Sequence, residues 1–297
     1  MPLSRAEIEV VAYELREEVI KMIAKAQSGH CAGPLGAAEI YATLFFSGIL
    51  NYCPQKPNDP NRDRVVVSNG HYAPLLYATL AYAGYFPKEE LSTLRKLNSR
   101  LQGHPHRLSL PGIETSSGPV GEGLSQAVGM ALAAKMDNRK YQVYCLSGDG
   151  EQDCGNHWEA VMLAGKYQLD NLTLIIDRNN IQIDGFTEKV LPLEPLVNKY
   201  ESFGWKTLEV DGHNVGELLN ALKKSSSILI KPVAIIAHTV PGQGVDFMEN
   251  DYQWHGKVPN SDQTQEALRQ LAGKILNLKR FCQAKGDETT PTKKSKK

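Results

Sequence analysis

Apolar segments alternate with polar turns along the chain, and their spacing predicts helices and short strands. Near the N-terminus, apolar residues recur at steps of three and four from Ile8 to Ile23, which is typical of a helix with one buried face. Further along, short runs rich in β-branched residues each end in glycine or polar residues. We expect strands at residues 64–67, 141–146, 172–176, 206–210 and 232–237.

Most of these predicted strands are apolar at consecutive positions, so both of their faces should be buried between layers of helices. Helical stretches lie between them, for example at residues 156–167 and 215–224. This alternation predicts an α/β fold with a doubly wound, mostly parallel sheet. Because ligands in such folds bind beyond the carboxyl ends of the strands, we expect a site in the loops that follow them.

The charge balance and the cysteines narrow the class of protein. The 297 residues include 33 Lys+Arg and 33 Asp+Glu, so the net charge is zero and gives no general reason to expect nucleic-acid or membrane binding. No apolar run approaches the ~20 residues of a membrane-spanning helix, and the charged N-terminus does not resemble a signal peptide. Five cysteines without a CxxC spacing indicate free thiols, and we expect a cytoplasmic protein.

The composition changes near Phe281. From there to the C-terminus the chain is polar and becomes rich in threonine and lysine, which is typical of a solvated tail. We therefore expect one folded domain over residues 1–280 and a flexible, polar and basic tail over residues 281–297.

The strongest chemical pattern begins at the end of the second predicted strand, which runs into Ser-Gly-Asp-Gly. Gly148 and Gly150 allow a sharp turn there and let backbone N–H groups approach a phosphate closely. Asp149 would repel a bare phosphate, so the pattern favours a divalent cation between the carboxylate and the phosphate. Asn179 follows the next predicted strand about thirty residues later, the length of one right-handed crossover.

Since neighbouring parallel strands end at the same edge of a sheet, Asp149 and Asn179 should lie side by side. Their oxygens, with diphosphate oxygens and water, would form the oxygen shell that Mg²⁺ or Ca²⁺ prefers, and the backbone carbonyl of Ile181 fits as a further ligand. Gly-Asp-Gly and Asn179-Asn180 could each be an ordinary turn. Only their joint spacing favours a cofactor site.

Four of the eight histidines lie beside glycine in predicted loops: His30, His71, His104 and His255. Glycine would let a ligand approach, and imidazole would supply a hydrogen-bond donor or a proton carrier. One loop histidine alone is more often an ordinary surface residue, but four in the same setting indicate a site. The remaining histidines, His106, His157, His213 and His238, lack this setting and are expected to be structural.

The segment GDGEQDCGNHWEAVMLAGKYQLDNLTLIIDRNNIQIDG resembles the thiamine-diphosphate signature of the transketolase family. Four further segments resemble transketolase motifs in the same order: SGHCAGPLGAAEI, SNGHYAPLLYA, GHPHRLSLPGIETSSGPVGEGLSQAVGMALA and WHGKVP. The resemblance covers about residues 5–273. It implies a thiamine-diphosphate-binding fold of the type that holds the diphosphate, with thiamine diphosphate and Mg²⁺ or Ca²⁺ as cofactors.

The resemblance also implies roles for single residues. His30 and His255 should face the reacting carbonyl and hydroxyl, and His104 should hold the terminal hydroxyl of the donor sugar. Together these three form the implied catalytic set. The implied metal ligands are Asp149, Asn179 and Ile181. The implied cofactor-binding residues are His71, Gly118, Val120, Gly148, Gly150, Asn179 and His255.

Transketolases of the pentose phosphate pathway move a two-carbon ketol unit from a ketose phosphate, such as xylulose 5-phosphate, to an aldose phosphate, such as ribose 5-phosphate. In this family a glutamate on a second domain activates the cofactor, and that domain also grips the sugar phosphate. No second α/β segment follows here. The resemblance therefore implies an incomplete enzyme subunit, which would assemble with a subunit carrying the pyrimidine and C-terminal domains, as a heterotetramer.

Two positions depart from the family pattern. Cys154 stands where a glutamate usually precedes glycine, although another family glutamate is matched by Glu159, and Cys31-Ala32 stands where proline or glycine is more frequent. Cys154 keeps open the alternative of a degenerate, non-catalytic scaffold. A further alternative is a subunit of deoxyxylulose phosphate synthase or of a 2-oxo acid dehydrogenase first component, against which the four loop histidines argue.

Overall fold

A five-stranded, wholly parallel sheet forms the centre of the computed structural model, which describes residues 2–288 and the side chains as far as Gln283. Its strands are β1 (Arg64–Val67), β2 (Val143–Gly148), β3 (Leu172–Arg178), β6 (Lys206–Asp211) and β7 (Val233–His238), in the spatial order β1-β2-β3-β7-β6. A separate antiparallel pair is formed by β4 (Ile181–Gln182) and β5 (Gly185–Phe186). With helices on both faces, this sheet confirms the predicted fold class.

The helices surround this sheet. They are α1 (Arg5–Ala26), α2 (Ala32–Gly36), α3 (Ala38–Phe46), α4 (Ala73–Tyr82), α5 (Gly123–Met136), α6 (Gly155–Lys166), α7 (Thr187–Val190), α8 (Leu196–Ser202), α9 (Val215–Ser225) and α10 (Ser261–Glu288). The predicted first helix is present and begins at a capping box, in which Ser4 and Glu7 each accept a hydrogen bond from the backbone N–H of the other.

Alternate residues of the buried strands enter two separate apolar layers. In β2, Tyr144 and Leu146 belong to the layer that includes residues of α1, α3, α4, α9 and α10. Val143 and Cys145 belong to the opposite layer, with residues of α5, α6 and α8. Because both faces are covered, consecutive strand positions are apolar, which is why the strands are visible in the sequence.

Two strands, β2 and β3, extend two residues beyond their predicted ends, and none of the extra residues is a large apolar one. β2 runs to Gly148 and β3 runs to Arg178, and the pairing between them continues as far as Gly148 opposite Asp177. Because Ser, Gly, Asp and Arg are poor strand formers, a prediction from β-propensity places the ends of both strands too early. Ladder hydrogen bonds to a neighbouring strand override that propensity here.

The predicted boundary between domain and tail falls inside α10, which continues through residues 281–288. This helix is polar in composition, but Ala267 and Leu271 are buried in the layer that also contains α1. The remainder of the predicted tail, residues 289–297, lies outside the described residues. The five cysteines are free, as predicted.

No helix among the described residues is both long enough and apolar enough to span a membrane.

A buried polar network ties the turn after β2 to α6 and α8. The Tyr200 hydroxyl donates to Oε1 of Gln152 and lies 2.7 Å from Nε2 of His157, so the histidine must carry its proton on that nitrogen. Nε2 of Gln152 donates in turn to the carbonyl of Gly148, at 3.1 Å. Burial lowers the pKa of His157 to about 3, so this histidine stays neutral within the fold.

We expect His157 to make the stability of the chain depend on pH. Its pKa is about 6.5 when unfolded and about 3 when folded, so the unfolded state binds the proton first as pH falls. The contribution of neutral His157 to stability is therefore complete above the unfolded-state pKa, and it is lost as the pH falls towards the folded-state pKa. Between pH 7 and pH 5 this residue alone should lower the unfolding free energy by about 2 kcal/mol.

Urea unfolding of the wild type and of His157→Gln at these two pH values measures the effect. Glutamine keeps a donor for Tyr200 but does not titrate, so the variant should lose about 2 kcal/mol less than the wild type on acidification. An equal loss in the two proteins would contradict a neutral, buried His157.

Candidate functional site

A cavity of about 390 Å³ lies where β1, β2 and β3 end, a volume typical of small-molecule sites. All the site residues predicted from the sequence line it: His30, His71, His104, Gly118, Val120, Gly148, Asp149, Gly150, Asn179, Ile181 and His255. The sequence did not predict four other lining residues, Tyr72, Glu151, Gln182 and Ile183. The structure thus brings together segments that are far apart in the chain.

Asp149 and Asn179 lie together because β2 and β3 are parallel neighbours. Oδ2 of Asp149 accepts a hydrogen bond from the backbone N–H of Asn180 at 2.7 Å and another from Nη1 of Arg178 at 3.0 Å. Both of these bonds end on the same carboxylate oxygen. Oδ1 is therefore the oxygen of Asp149 that can serve a further ligand.

The side-chain amide of Asn179 has a defined orientation. Nδ2 donates to a carboxylate oxygen of Asp177 at 2.8 Å and to the hydroxyl oxygen of Tyr72 at 3.0 Å. Oδ1 accepts the backbone N–H of Ile181 at 3.1 Å. Since Ile181 lines the cavity, the amide oxygen lies on the cavity side.

Glycines leave room for a ligand beside these side chains. A Cβ atom on Gly148 would meet no atom within 4 Å, and one on Gly118 would meet only His104, at 3.9 Å or more. At position 70 glycine is needed for a different reason: a Cβ atom there would lie 2.9 Å from the backbone nitrogen of Gly118. Two glycine backbones therefore form an open cradle, and a third lets the loops of His71 and Gly118 pack closely.

Three histidine rings form a cluster at one side of the cavity. The ring centroids of His30, His71 and His255 lie 5.1–5.5 Å apart. Within the described residues, Nδ1 of His30 and Nδ1 of His255 are buried and have no hydrogen-bond partner. His71 lies in a short 3-10 turn, Gly70–Tyr72, rather than in the irregular loop expected from the sequence.

All three rings are neutral near pH 7. Burial is the main cause, and it lowers the pKa of His30 to about 4, with neighbouring cationic groups adding to the effect. Burial, with the neighbouring histidines, also lowers the pKa of His71 well below its usual range, and burial lowers the pKa of His255. Neutral rings with unpartnered nitrogens can accept or donate a proton to a ligand.

Arg95 joins the loops that carry His30 and His104, and the sequence analysis missed it. Nη1 of Arg95 donates to the Ser28 hydroxyl at 2.7 Å, and Nη2 donates to the Gly103 carbonyl at 3.3 Å. The nearby guanidinium adds to burial in lowering the pKa of His104. A single arginine in a polar stretch carries no local signal that could have identified it.

Glu151 is a second residue missed by the sequence analysis, although it directly follows Gly-Asp-Gly. Its buried carboxylate accepts four hydrogen bonds, all of 2.7–2.9 Å, from Ser68, Gly121, Ser147 and Gly148. Gly121 has φ +82 and closes the loop that presents Val120 to the cavity. Glu151 therefore fixes that loop to the turn after β2.

Among the described residues, the side chains that line the cavity include two carboxylates but no lysine or arginine. Burial, together with the charge of Asp177, raises the pKa of Asp149 to about 7. Among the described residues, no group of three or more His, Cys, Asp or Glu side chains could hold a metal ion. A cation near Asp149 would therefore need amide, carbonyl and ligand oxygens to complete its shell, and Asn179 and Ile181 line the same cavity.

Residues 8–278 match the family described as transketolase, thiamine diphosphate binding domain. The chain is 40% identical over 273 residues to one of the subunits of the apulose-4-phosphate transketolase of Phocaeicola vulgatus, covering 92% of this chain and 96% of that protein. It is 38% identical over 271 residues to the 6-deoxy-6-sulfo-D-fructose transketolase subunit SqwG of a Clostridium species, covering 91% and 98%.

Single-chain relatives are longer than this chain. Human transketolase is 38% identical over 286 residues, which cover 95% of this chain but 44% of the human protein. The crystal structure of transketolase from Campylobacter jejuni superposes with a TM-score of 0.85 at 35% identity, over 92% of this chain and 43% of the other. The match thus extends over nearly all of the two subunit relatives and over less than half of the single-chain enzymes. This chain belongs to the transketolase family, as an N-terminal, thiamine-diphosphate-binding subunit.

Proposed function

We propose that this chain is the subunit of a split transketolase that binds thiamine diphosphate and a divalent cation. With a partner subunit it would transfer a two-carbon ketol unit from a ketose phosphate to an aldose phosphate. The observation that carries the proposal is a single cavity that combines a glycine cradle, the Asp149–Asn179 pair and three neutral histidines.

The diphosphate would lie against the backbone of Gly148 and Gly150. A Cβ on Gly148 would meet no atom within 4 Å, and one on Gly150 would lie 3.4 Å from Cβ of Gln182. Its negative charge needs compensation, and no lysine or arginine of the part of the chain that the structure describes lines the cavity. A divalent cation held by Oδ1 of Asp149, Oδ1 of Asn179 and the Ile181 carbonyl would supply that compensation. These are hard oxygen ligands, as Mg²⁺ or Ca²⁺ prefers.

When bound, thiamine diphosphate supplies the carbon nucleophile and accepts the electron pair released as the donor carbon–carbon bond breaks. The chain's own residues would orient the donor and move protons. His30 and His255 are neutral and keep an unpartnered Nδ1 each, so they can exchange protons with the hydroxyl and carbonyl oxygens of the sugar. His104, an exposed residue of the cavity wall, would hold the terminal hydroxyl of the donor.

Two features support the need for a partner subunit. Two carboxylates line the cavity: Glu151 is engaged by four donors, and the open oxygen of Asp149 is assigned here to the cation, so neither would be left to activate an aminopyrimidine. At the rim, the apolar side chains of Val120 and Ile183 are 46% and 66% exposed. We infer that a second chain covers this opening and supplies the activating carboxylate and the cationic groups for the sugar phosphate, in a heterotetramer.

The sugars are less constrained than the reaction. The two subunit relatives are named for different sugars, apulose-4-phosphate and 6-deoxy-6-sulfo-D-fructose. Membership of the family therefore does not define the donor. We propose xylulose 5-phosphate as the first donor to test and ribose 5-phosphate as the first acceptor, with other ketoses as a panel.

The test is to combine this chain with a candidate pyrimidine-domain subunit, thiamine diphosphate and Mg²⁺, and to measure ketol transfer across that panel. Transfer from any ketose supports the proposal. Absence of transfer from an assembled, cofactor-loaded complex would overturn it. Turnover of pyruvate instead would indicate another thiamine-diphosphate enzyme, and absence of cofactor binding would indicate a scaffold.

We expect Asp149→Ala to weaken the Mg²⁺-dependent binding of thiamine diphosphate by about 100-fold or more, because it removes the only carboxylate ligand. Calorimetric titration of the reconstituted complex measures this affinity. Asp184→Ala is the matched control, since Asp184 is exposed in the turn between β4 and β5. Equal affinities in the Asp149 variant and the wild type would refute the ligand assignment.

We expect His104→Ala to leave cofactor affinity unchanged and to lower kcat/KM for the donor by roughly 10²–10⁴-fold, the range for a positioned polar group. Steady-state kinetics with varied donor concentration measure the change. His106→Ala removes an exposed histidine two residues away and should behave like the wild type. Unchanged donor kinetics in the His104 variant would exclude this residue from the sugar site.

A further inference from the structure

We propose that Asp177 is a positioning residue of the metal site, whose carboxylate fixes the amide of Asn179 so that the oxygen faces the cation. The inference rests on the proposed function, because it takes Asn179 as a metal ligand. Asp177 does not line the cavity. It would act only through the residue that does.

Three segments of the chain converge on the Asp177 carboxylate, which is buried near the end of β3. One oxygen accepts hydrogen bonds from Nδ2 of Asn179, at 2.8 Å, and from the hydroxyl of Tyr72. The other oxygen accepts a hydrogen bond from the hydroxyl of Thr239, which lies just beyond β7. A buried carboxylate with this many donors is held in one orientation.

The donors and acceptors around Asn179 permit only one orientation of its amide. The two ends of an amide have nearly the same shape, but only the oxygen can bind a hard cation. Asp177 can only accept hydrogen bonds, and Tyr72 has given its proton to Asp177, so both neighbours on that side are acceptors. The amide nitrogen, with its two hydrogens, must therefore face them. The oxygen is left on the side of Ile181 and the cavity.

This arrangement also explains why position 179 carries an amide rather than a carboxylate. An aspartate at 179 would be the stronger ligand for a divalent cation if it stood alone. Here it would place a second carboxylate against Asp177, 2.8 Å from an oxygen that now accepts an N–H. Repulsion between the two like charges would turn the new side chain away from its position.

The two views predict opposite effects of an aspartate at position 179: stronger Mg²⁺ binding if the residue acts alone, and weaker binding if Asp177 repels it. In the reconstituted complex with thiamine diphosphate, the apparent dissociation constant of Mg²⁺ is measured by calorimetry for the wild type and for Asn179→Asp. We expect the substitution to weaken Mg²⁺ binding by about 10–100-fold, the range for a disturbed supporting residue. An equal or tighter affinity in Asn179→Asp would overturn the proposal, because it would show a ligand that acts independently of Asp177.

The reciprocal swap, Asp177→Asn with Asn179→Asp, provides the rescue. It keeps the charge and shape of the pair and reverses donor and acceptor, so an amide at 177 can donate to a carboxylate at 179. We expect Mg²⁺ affinity to return to within several-fold of the wild type. A folded double variant that binds as weakly as the single one would also contradict the proposal.

Asn180→Asp is the matched control for added charge, since the side chain of Asn180 is exposed one residue further on. It should bind Mg²⁺ at least as tightly as the wild type. If the swap does not fold, as judged by the melting temperature of the metal-free complex, Asp177→Asn decides. It replaces a group that only accepts hydrogen bonds by an amide that can also donate, so the Asn179 amide is no longer held in one orientation and Mg²⁺ binding should weaken several-fold. Unchanged Mg²⁺ binding in this variant would count against the proposal. A wild-type complex without Mg²⁺-dependent cofactor binding would instead refute the proposed function.

Discussion

The parallel register between β2 and β3 is the constraint on which the site depends. Hydrogen bonding continues to the Gly148–Asp177 pair, the last point at which the two backbones run together. Immediately beyond it, one strand presents Asp149 and the other presents Asn179. A slip of one residue would turn every side chain of one strand to the opposite face of the sheet and separate these groups. Each face packs its own set of side chains, with Tyr144 and Leu146 of β2 on one face and Val143 and Cys145 on the other, and a slip would disrupt the packing of both.

That register gathers three buried carboxylates, Asp149, Glu151 and Asp177, around one sheet edge. Burial raises the pKa of each, and Asp177 adds to the shift at Asp149. The cost of burying each carboxylate is offset by hydrogen-bond donors. Asp149 accepts from a guanidinium and a backbone amide, and the other two accept from sets of hydroxyl, amide and backbone groups. Charged groups can remain buried only with such compensation, and the rigid network that results holds the glycine cradle and the Asn179 amide in place.

The fold class could be predicted from the sequence, and the residues predicted for the site line one cavity, because their signals are local. The predicted strand at 64–67 contains three consecutive valines, and Gly-Asp-Gly and the Gly-His pairs are contiguous motifs whose spacing can be read without a structure. Two of the residues that were not predicted, Tyr72 and Glu151, make contacts with residues far away in the sequence. The Tyr72 hydroxyl donates to Asp177, which lies 105 residues away in the sequence, and the Ser68 hydroxyl donates to Glu151, which lies 83 residues away.

At the C-terminal end, the predicted start of the tail at residue 281 falls within α10. This polar helix packs through a narrow buried stripe that includes Ala267 and Leu271, both inside the predicted domain of residues 1–280, and composition does not reveal how far such a helix continues. The small hairpin of β4 and β5 was also missed. Each of its strands has two residues, which is too short for a periodic pattern to register.

No lysine or arginine of the described residues lines the cavity, and this has a consequence for discrimination among the many phosphorylated metabolites of a cell. A basic pocket attracts almost any phosphate ester by charge alone. Here the nearest guanidinium to Asp149, that of Arg178, is paired with that carboxylate, and the carboxylates of the lining repel such esters. The pocket would therefore be occupied mainly by molecules that bring a chelated cation with them. Two adjacent phosphoryl groups chelate a cation far better than one. Selection among anions would then depend on their capacity for chelation, with net charge playing a minor part.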